Sequence, residues 1–245
     1  MRIPVVRGVI DRRILVNYHV DADVLANVLP APFRPKTVHG WGIAGICLIR
    51  LKQIRPRVLP AVVGISSENA AHRIAVEWEE NGELREGVYI PRRDTSSRLN
   101  TLAGGTIFPG VHHHARFQVQ EGQGRYQVRL DSDDDDTHVE VEATIASELP
   151  ETSVFRSVSD VSDFFEAGSL GYSATKMSNE FDGLELRTFN WDVQPLNVTK
   201  AASSFFENKD NFPPGSVEFD CALLMTGIDH EWHGRPLMTT PATQP

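Results

Sequence analysis

The sequence predicts a β-rich α+β domain in which antiparallel strands dominate and helices are few and short. Many segments are rich in β-branched and aromatic residues and alternate with period two, turn residues separate them, and only three stretches have a helical pattern. With 245 residues, 40% of them hydrophobic, the chain can bury a sizeable core. We expect a single domain over residues 1–234, followed by a loose C-terminal tail over 235–245.

Strand signals and turn signals alternate along most of the chain. Residues 80–83 and 121–124 have the composition of hairpin turns. The four aspartates at 133–136 indicate a solvated hairpin tip, because adjacent carboxylates lack the spaced ligands of a calcium loop. The predicted strands cover residues 42–51, 61–68, 72–80, 85–91, 114–120, 125–131, 138–146, 184–193 and 217–225.

The helical patterns begin at capping residues and end at proline or glycine. A helix over 21–29 is predicted with Asp21 as its N-cap and Pro30 after its end. A second is predicted over 94–102, capped by Asp94, and a third over 157–166, ending near Gly168.

Charge is unevenly distributed along the chain. The formal net charge is 24 − 33 = −9, which argues against a general nucleic-acid binder. Residues 1–122 nevertheless hold 16 cations and 11 anions, whereas residues 123–245 hold 8 and 22. If the halves interleave, the arginines of the first half can line a cleft for a small anionic metabolite. The alternative is a solvated acidic surface over an ordinary core.

The sequence contains no signal-peptide pattern and no apolar run long enough for a membrane span, so we expect a cytoplasmic protein without a membrane partner. Cys47 and Cys221 lie in apolar runs and are expected to be small buried hydrophobes in a reducing compartment, not a disulfide pair or nucleophiles. Nucleotide, zinc and common hydrolase motifs are absent, and no cofactor is expected.

Two polar clusters stand out in the first half of the chain. The first, residues 66–73, contains Glu68, which is either a functional carboxylate or a strand-end partner of Arg73. The second, residues 91–98, contains Arg93 and Arg98 at a strand end, where guanidinium groups suit a carboxylate or phosphate. Its alternative is a helix cap held by surface arginines.

Histidines form a third cluster at His112, His113 and His114. His112 and His114 share one face of a strand, and together with His230 and His233 they could form an imidazole metal site, although no third carboxylate ligand is clearly placed. We expect no metal. A fourth cluster, residues 164–173, offers Tyr172 as a candidate ligand-facing residue, with aromatic core as the alternative.

The segments 66–73, 87–100 and 108–117 resemble the YqjF-like family of conserved proteins of unknown function, a branch of the acetoacetate decarboxylase-like superfamily. The likeness extends from Arg13 to the segments 165–175 and 216–225, and so covers most of the chain. The resemblance implies a central antiparallel, cone-like β-barrel around a pocket that binds a β-keto acid in the superfamily's decarboxylases.

The resemblance also identifies what the chain lacks. Superfamily decarboxylases carry a Schiff-base lysine beside a second lysine. The positive charge of the second lysine activates the amine of the first. The matching segment here, 105–112, has Gly110 and Val111 at those positions, and no lysine occurs between Lys52 and Lys176. We therefore expect no imine-forming decarboxylase activity. A superfamily glutamate matches Glu68, and a substrate-facing arginine matches Arg13 or Arg12, one residue apart.

These observations together predict a pocket for a small carboxylate or keto-acid-like metabolite. If the protein is an enzyme, a lyase, hydratase or isomerase reaction is expected, with Glu68 as general acid or base and His113 as proton donor or electrophile. The remaining predicted substrate-binding residues are Arg13, Arg93, Arg98, His112, His114 and Tyr172. The alternatives are a non-catalytic binding protein on the same fold and, less favoured, a histidine-ligated metal enzyme. A homo-oligomer is compatible with exposed strand edges.

Overall fold

Strands form most of the structure. The computed structural model describes residues 4–98, 101, 110–177 and 179–240. The strands are β1 (Val6–Asp21), β2 (Arg34–Pro35), β3 (Thr37–Val38), β4 (Trp41–Pro56), β5 (Ile65–Glu80), β6 (Glu83–Thr95), β7 (His112–Gly122), β8 (Arg125–Ser132), β9 (His138–Ile145), β10 (Leu170–Ala174), β11 (Glu180–Thr188), β12 (Gln194–Ser203), β13 (Val217–Gly234) and β14 (Met238–Thr239). The helices are α1 (Ala22–Val28), α2 (Val158–Ala167) and α3 (Ser204–Glu207), with a 3-10 turn at Ala61–Val63.

The described strands belong to one sheet that closes on itself along two routes. Strands β13, β1, β4, β5 and β6 are common to both routes, and we call them the shared wall. The larger circuit is completed from β6 through β7, β8, β9 and β12 back to β13, and the smaller circuit through β10 and β11. Two strands therefore act as branch points: β6 pairs with both β7 and β10, and β13 with both β12 and β11.

Each circuit encloses its own hydrophobic core, and the shared wall separates the two. Side chains of a strand alternate between its faces. On β1, Ile14 and Val16 therefore pack in the core of the larger circuit, whereas Leu15 packs on the opposite face. Helix α2 covers that opposite face with Val161 and Phe165. A wall buried on both faces explains why β1 shows no simple alternation of polar and apolar residues.

The structure confirms most of the predicted elements. Asp21 caps α1 with its side chain, and Ser157 caps α2. The turns at 80–83 and 121–124 join β5 to β6 and β7 to β8 as antiparallel hairpins. The β-rich α+β class is as predicted, with strands of 16 residues or more in the shared wall.

Other elements differ from the prediction. The helix predicted over 94–102 was wrong at its start, because Asp94 and Thr95 pair with β5 and end strand β6; residues 99, 100 and 102 lie outside the described residues. Residues 61–63 form a 3-10 turn where a strand was predicted. The strand predicted over 184–193 ends at Thr188, and the long strands β1 and β12 were not predicted.

Part of the predicted loose tail is attached to the domain. The N–H of Arg235 donates to the carbonyl of Gly183, and β14 pairs with β11 through Glu180 and Phe181. Residues 235–240 are therefore ordered against the smaller circuit. No helix of the described chain is long and apolar enough to cross a membrane.

Gly45 provides a test of how tightly the shared wall is packed. It lies in β4 opposite Asn17 of β1, and a Cβ atom there would collide with the carbonyl oxygen of Val16. We expect Gly45→Ala to destabilise the fold by roughly 1–3 kcal/mol, because neither backbone can move without disturbing the other strands of the wall. The measurement is the urea midpoint of unfolding.

Gly122 is the matched control for this substitution. It also lies in a strand, at the end of β7, and a Cβ atom there would meet no atom within 4 Å. Gly122→Ala should leave the urea midpoint nearly unchanged. Equal effects at both positions would show that close packing of β1 against β4 is not what requires glycine at position 45.

Candidate functional site

A cavity of about 370 Å³ lies inside the smaller circuit, beneath helix α2. Every strand of that circuit contributes to its lining, and Phe165 and Glu166 of α2 cover it. Leu184, Leu186 and Trp232 provide apolar surface. The cavity therefore combines an apolar body with a small number of polar groups, as is usual for small-molecule sites.

One row of paired residues forms the floor of this cavity. Cys47 of β4 pairs with Ala71 of β5, Ala71 pairs with Arg93 of β6, and Arg93 pairs with His112 of β7. Neighbouring strands lie about 4.8 Å apart, so the row brings residues from four segments to one surface. Because Ala71 is small, open space remains above it between the thiol and the guanidinium group.

Four arginines and one carboxylate, Glu166, are among the lining residues. Arg187 pairs with Glu185, and the other three arginines face this space from different strands. Arg73 is only 4% exposed, donates to Asn17 Oδ1, and its guanidinium carbon lies 4.3 Å from the centre of the Phe165 ring. Arg13 directs Nε at Cys47 Sγ at 3.4 Å and lies 5.8 Å from the Trp191 ring centre. Arg93 Nε donates to Ser173 Oγ at 3.1 Å.

None of these three guanidinium groups has a carboxylate partner among the described residues. Burial lowers the pKa of Arg73 and of Arg93 to about 10, which still leaves both charged at neutral pH. Buried charges in proteins are normally paired, since isolated ones cost several kcal/mol. The cavity thus has an unbalanced positive charge that an anion of suitable size can neutralise.

His112 completes the polar part of the cavity. Burial, followed by the nearby charge of Arg93, lowers the pKa of His112 to about 3. The imidazole is therefore neutral at physiological pH, a state in which one ring nitrogen can accept a proton and the other can donate one. The lining therefore combines guanidinium groups with one neutral imidazole.

Of the residues proposed from sequence, Arg13, Arg93 and His112 line the cavity. Arg12 does not. It points to the opposite face of β1, where it is 2% exposed and pairs with Glu68 and Glu121. Of the two arginines that match the substrate-facing arginine of the superfamily, Arg13 is therefore the one that faces the cavity.

Glu68 lies on the face of the shared wall opposite the cavity. Its Oε2 accepts from Arg12 at 2.6 Å and its Oε1 from Arg50 at 2.5 Å, and Glu121 also pairs with both arginines. Asp11 also pairs with Arg50 and with Lys52, so three cations and three carboxylates form an electrically neutral network. The next residue, Asn69, lines the cavity instead. Glu68 therefore holds β5 to β1, β4 and β7.

His113 and His114 contact the carboxylates of the predicted hairpin tip. His113 Nδ1 is 2.7 Å from Asp134, and His114 Nδ1 is 2.7 Å from Asp133. Arg92 joins Asp134 to the buried Asp94. The tip at 133–136 is thus a docking point for strands β6 and β7 as well as a turn, and both histidines lie outside the cavity lining.

The last two predicted residues are also outside the lining. Tyr172 is buried in an aromatic cluster, with ring centres 5.4 Å from Trp78 and 5.9 Å from Phe33. Arg98 is exposed. The later part of the helix predicted over 94–102 falls on residues outside the described ones, and so do residues 105–109 of the segment that matches the decarboxylase lysines.

Sequence reasoning missed several residues of the cavity. Cys47 is buried in the apolar core, as predicted, but it also lines the cavity, and Arg73 is predicted only as a partner of Glu68 although it lines the cavity too. Trp191 and Asn69 had no assigned role, although both face the cavity. The two-residue period of a strand could have identified some of them, because Asn69, Ala71 and Arg73 lie on the same face of β5. If one of these residues faces the cavity, the other two face it as well.

The histidine metal site considered from the sequence has no ligand cluster among the described residues. No group of three or more histidine, cysteine or carboxylate side chains is placed there to hold an ion. His112 lies in the cavity wall, whereas His230 is buried against Trp232 with ring centres 4.5 Å apart.

The fold and cavity define a class of protein: a β-rich domain of the acetoacetate decarboxylase type whose pocket is lined by arginines. Three solved structures of similar fold are an acetoacetate decarboxylase from Legionella pneumophila (11% identity, TM-score 0.59, covering 96% of this chain and 87% of the other), the enduracididine biosynthesis enzyme MppR (12%, 0.60, 96% and 88%) and an acetoacetate decarboxylase-like enzyme from Sphingomonas wittichii RW1 (10%, 0.60, 98% and 94%). At these identities the likeness concerns the fold alone.

The chain belongs to the DUF2071 family, described as an uncharacterized conserved protein, whose model matches residues 10–223. No curated protein matches the chain in sequence. The family assignment and the structural neighbours agree with the resemblance drawn from sequence.

Glu68 offers a test that separates a structural role from a catalytic one. We expect Glu68→Gln to lower the free energy of unfolding by about 2 kcal/mol, because it leaves the buried Arg12 with half of its counter-charge. Stabilisation of the protein by added carboxylates should persist in the variant. Urea unfolding with and without 10 mM pyruvate measures both.

The control is Glu148→Gln, at an exposed position away from the cavity and the network. It should change neither quantity. If Glu68→Gln abolished the response to pyruvate while leaving stability intact, Glu68 would belong to the ligand site after all.

Proposed function

We propose that the protein binds a small organic acid, a carboxylate or keto-acid-like metabolite, in the arginine-lined cavity. One observation carries the proposal: Arg13, Arg73 and Arg93 face one cavity without a carboxylate partner among the described residues. A bound carboxylate would supply the missing counter-charge and accept paired hydrogen bonds from a guanidinium fork.

The dimensions of the cavity agree with a ligand of this kind. A volume of about 370 Å³ lies near the lower end of the range for small-molecule pockets. A carboxylate bound by one guanidinium group leaves the others free to contact a keto oxygen or a second carboxylate. The apolar side chains Ile49, Leu184 and Leu186 would then surround the carbon skeleton.

If the bound acid reacts, the reaction proceeds without an imine. The described lining contains no lysine, and the sequence has none from position 53 to 175. Guanidinium groups can stabilise the oxyanion of an enolate. A bound carboxylate would offset the charge of Arg93, which, after burial, is one cause of the low pKa of His112, and would thereby make the imidazole a better acceptor of the proton that enolisation releases. These parts suit a lyase, hydratase or isomerase acting on a keto acid. The structural neighbour MppR is described in complex with pyruvate, which makes pyruvate the first ligand to test.

Binding is tested by thermal unfolding with carboxylates and their neutral analogues. Acetate, pyruvate and acetoacetate at ten times their Kd should stabilise the protein by about 1.4 kcal/mol, or about 3–5 °C in Tm. Acetamide and acetone at the same concentrations should have little effect, because they lack the charge that the arginines require.

Two variants locate this effect. Arg93→Met should abolish the shift produced by carboxylates, whereas Arg129→Met should retain it, since Arg129 is paired with Asp131 on the outside of the protein. No shift with any carboxylate up to about 20 mM, or equal shifts with the neutral analogues, would refute binding in the cavity.

A second experiment separates an enzyme from a binding protein. We expect the methyl protons of pyruvate to exchange for deuterium in D₂O in the presence of the protein, as followed by proton NMR, and His112→Asn to abolish the exchange but not the thermal shift. Intact binding without exchange in the wild-type protein would favour the non-catalytic alternative on the same fold.

A further inference from the structure

Cys47 has surroundings unlike those of the other cysteine. It lines the cavity and is 8% exposed, and its Sγ accepts from Arg13 Nε at 3.4 Å. Arg73 and Arg93 line the same cavity. The sulfur atom of Cys47 thus contacts one guanidinium group and faces a cavity whose wall contains two more.

Cys221 provides the contrast within the same molecule. It is fully buried in β13, outside the cavity lining, and Asn17 Nδ2 lies 3.5 Å from its Sγ. Burial is the main cause that raises the pKa of the Cys221 thiol. Both cysteines are free, so neither is protected by a disulfide.

An independent observation indicates that a ligand enters the space beside Cys47. Arg73 is nine-tenths buried, lines the same cavity and donates to the neutral Asn17, and it has no carboxylate partner among the described residues. A buried charge without a counter-charge is costly, so a guanidinium group in the cavity wall with no carboxylate beside it indicates that an anion binds there. The positive charge also raises the local concentration of anions around Sγ.

The row of residues on the floor places such an anion within reach of the sulfur. Cys47 and Arg93 pair with the two sides of Ala71, so their Cα atoms are about 10 Å apart, with only a methyl group between them. A two- or three-carbon acid whose carboxylate contacts Arg93 or Arg13 has its neighbouring carbon above Ala71, beside Sγ.

We propose that Cys47 is a covalent attachment site for small carboxylates that carry an electrophilic carbon next to the carboxyl group. The proposal rests on the anion binding proposed above. For a carboxylate with a leaving group, Sγ attacks the carbon and the S–C bond forms as the bond to the leaving group breaks. The leaving group departs with its electron pair, and the thiol proton passes to water, since thiols attack as thiolates.

The test compares iodoacetate, which is anionic, with iodoacetamide, which is neutral and nearly the same size. Alkylation of each cysteine in the native full-length protein is followed by peptide mass spectrometry, and the same measurement on the urea-unfolded chain gives the intrinsic reactivity. We expect the ratio of iodoacetate to iodoacetamide rates at Cys47 to be about tenfold higher in the native protein than in the unfolded chain. Cys221 should remain unmodified over the same period, and pyruvate should protect Cys47.

Variants assign the preference to the guanidinium groups. Arg93→Met should bring the ratio at Cys47 towards that of the unfolded chain, whereas Arg93→Lys, which keeps the charge, and the exterior variant Arg129→Met should preserve it. Cys47→Ser should eliminate alkylation in the cavity but retain the thermal shift with acetate. Circular dichroism verifies that each variant is folded.

The outcomes distinguish this inference from the proposed function. If carboxylates stabilise the protein but Cys47 shows the ratio of the unfolded chain, or reacts no faster than Cys221, covalent attachment is refuted while anion binding stands. If carboxylates neither stabilise the protein nor protect Cys47, the proposed function is refuted together with it.

Discussion

The alternation of side chains between the two faces of the shared wall, reset at a few irregularities of strand pairing, is the constraint on which the rest of the structure depends. Each of these strands is covered on both faces, so neighbouring residues have different surroundings. Arg12 is paired with carboxylates on one face, while Arg13 lies in the cavity on the other. The same division separates Glu68 from Asn69 and Arg92 from Arg93. A shift of one residue in register would exchange the cavity for the core.

The two faces of the wall balance charge in different ways. On the face of the larger circuit, arginines have carboxylate partners, as in the network of Arg12 and Arg50 with Glu68 and Glu121. On the cavity face, Arg73 rests against the ring of Phe165, which attracts a cation without neutralising it. Arg13, Arg73 and Arg93 on the cavity face have no carboxylate partner among the described residues, and that contrast is the physical basis for proposing that the cavity binds an anion.

Elements that depend on a local sequence pattern could be predicted from the sequence. The face that each strand residue occupies could not, because it depends on the register of strand pairing. Helices α1 and α2 and the hairpin turns were predictable because their caps and turn residues are contiguous. Strand β1 was missed because Asp11 and the two following arginines interrupt its apolar pattern, and pairing is irregular between Ile10 and Arg12. Such irregularities decide which face each residue occupies, and they depend on partner strands far away in the chain. This is why Arg13 and His112 could be named as candidates while Tyr172 could not be distinguished from them.

The pairing of β1 with β13 has a consequence for how the protein is made. β13 spans Val217–Gly234 and lies against β1, which begins at Val6, so each strand of the pair comes from near one end of the chain. Both circuits contain this pair, so neither can close during synthesis until β13 has emerged from the ribosome. The edge of β1 that pairs with β13 stays open until then. Contacts between such distant segments form slowly, so the closure of both circuits is expected to be a late step of folding.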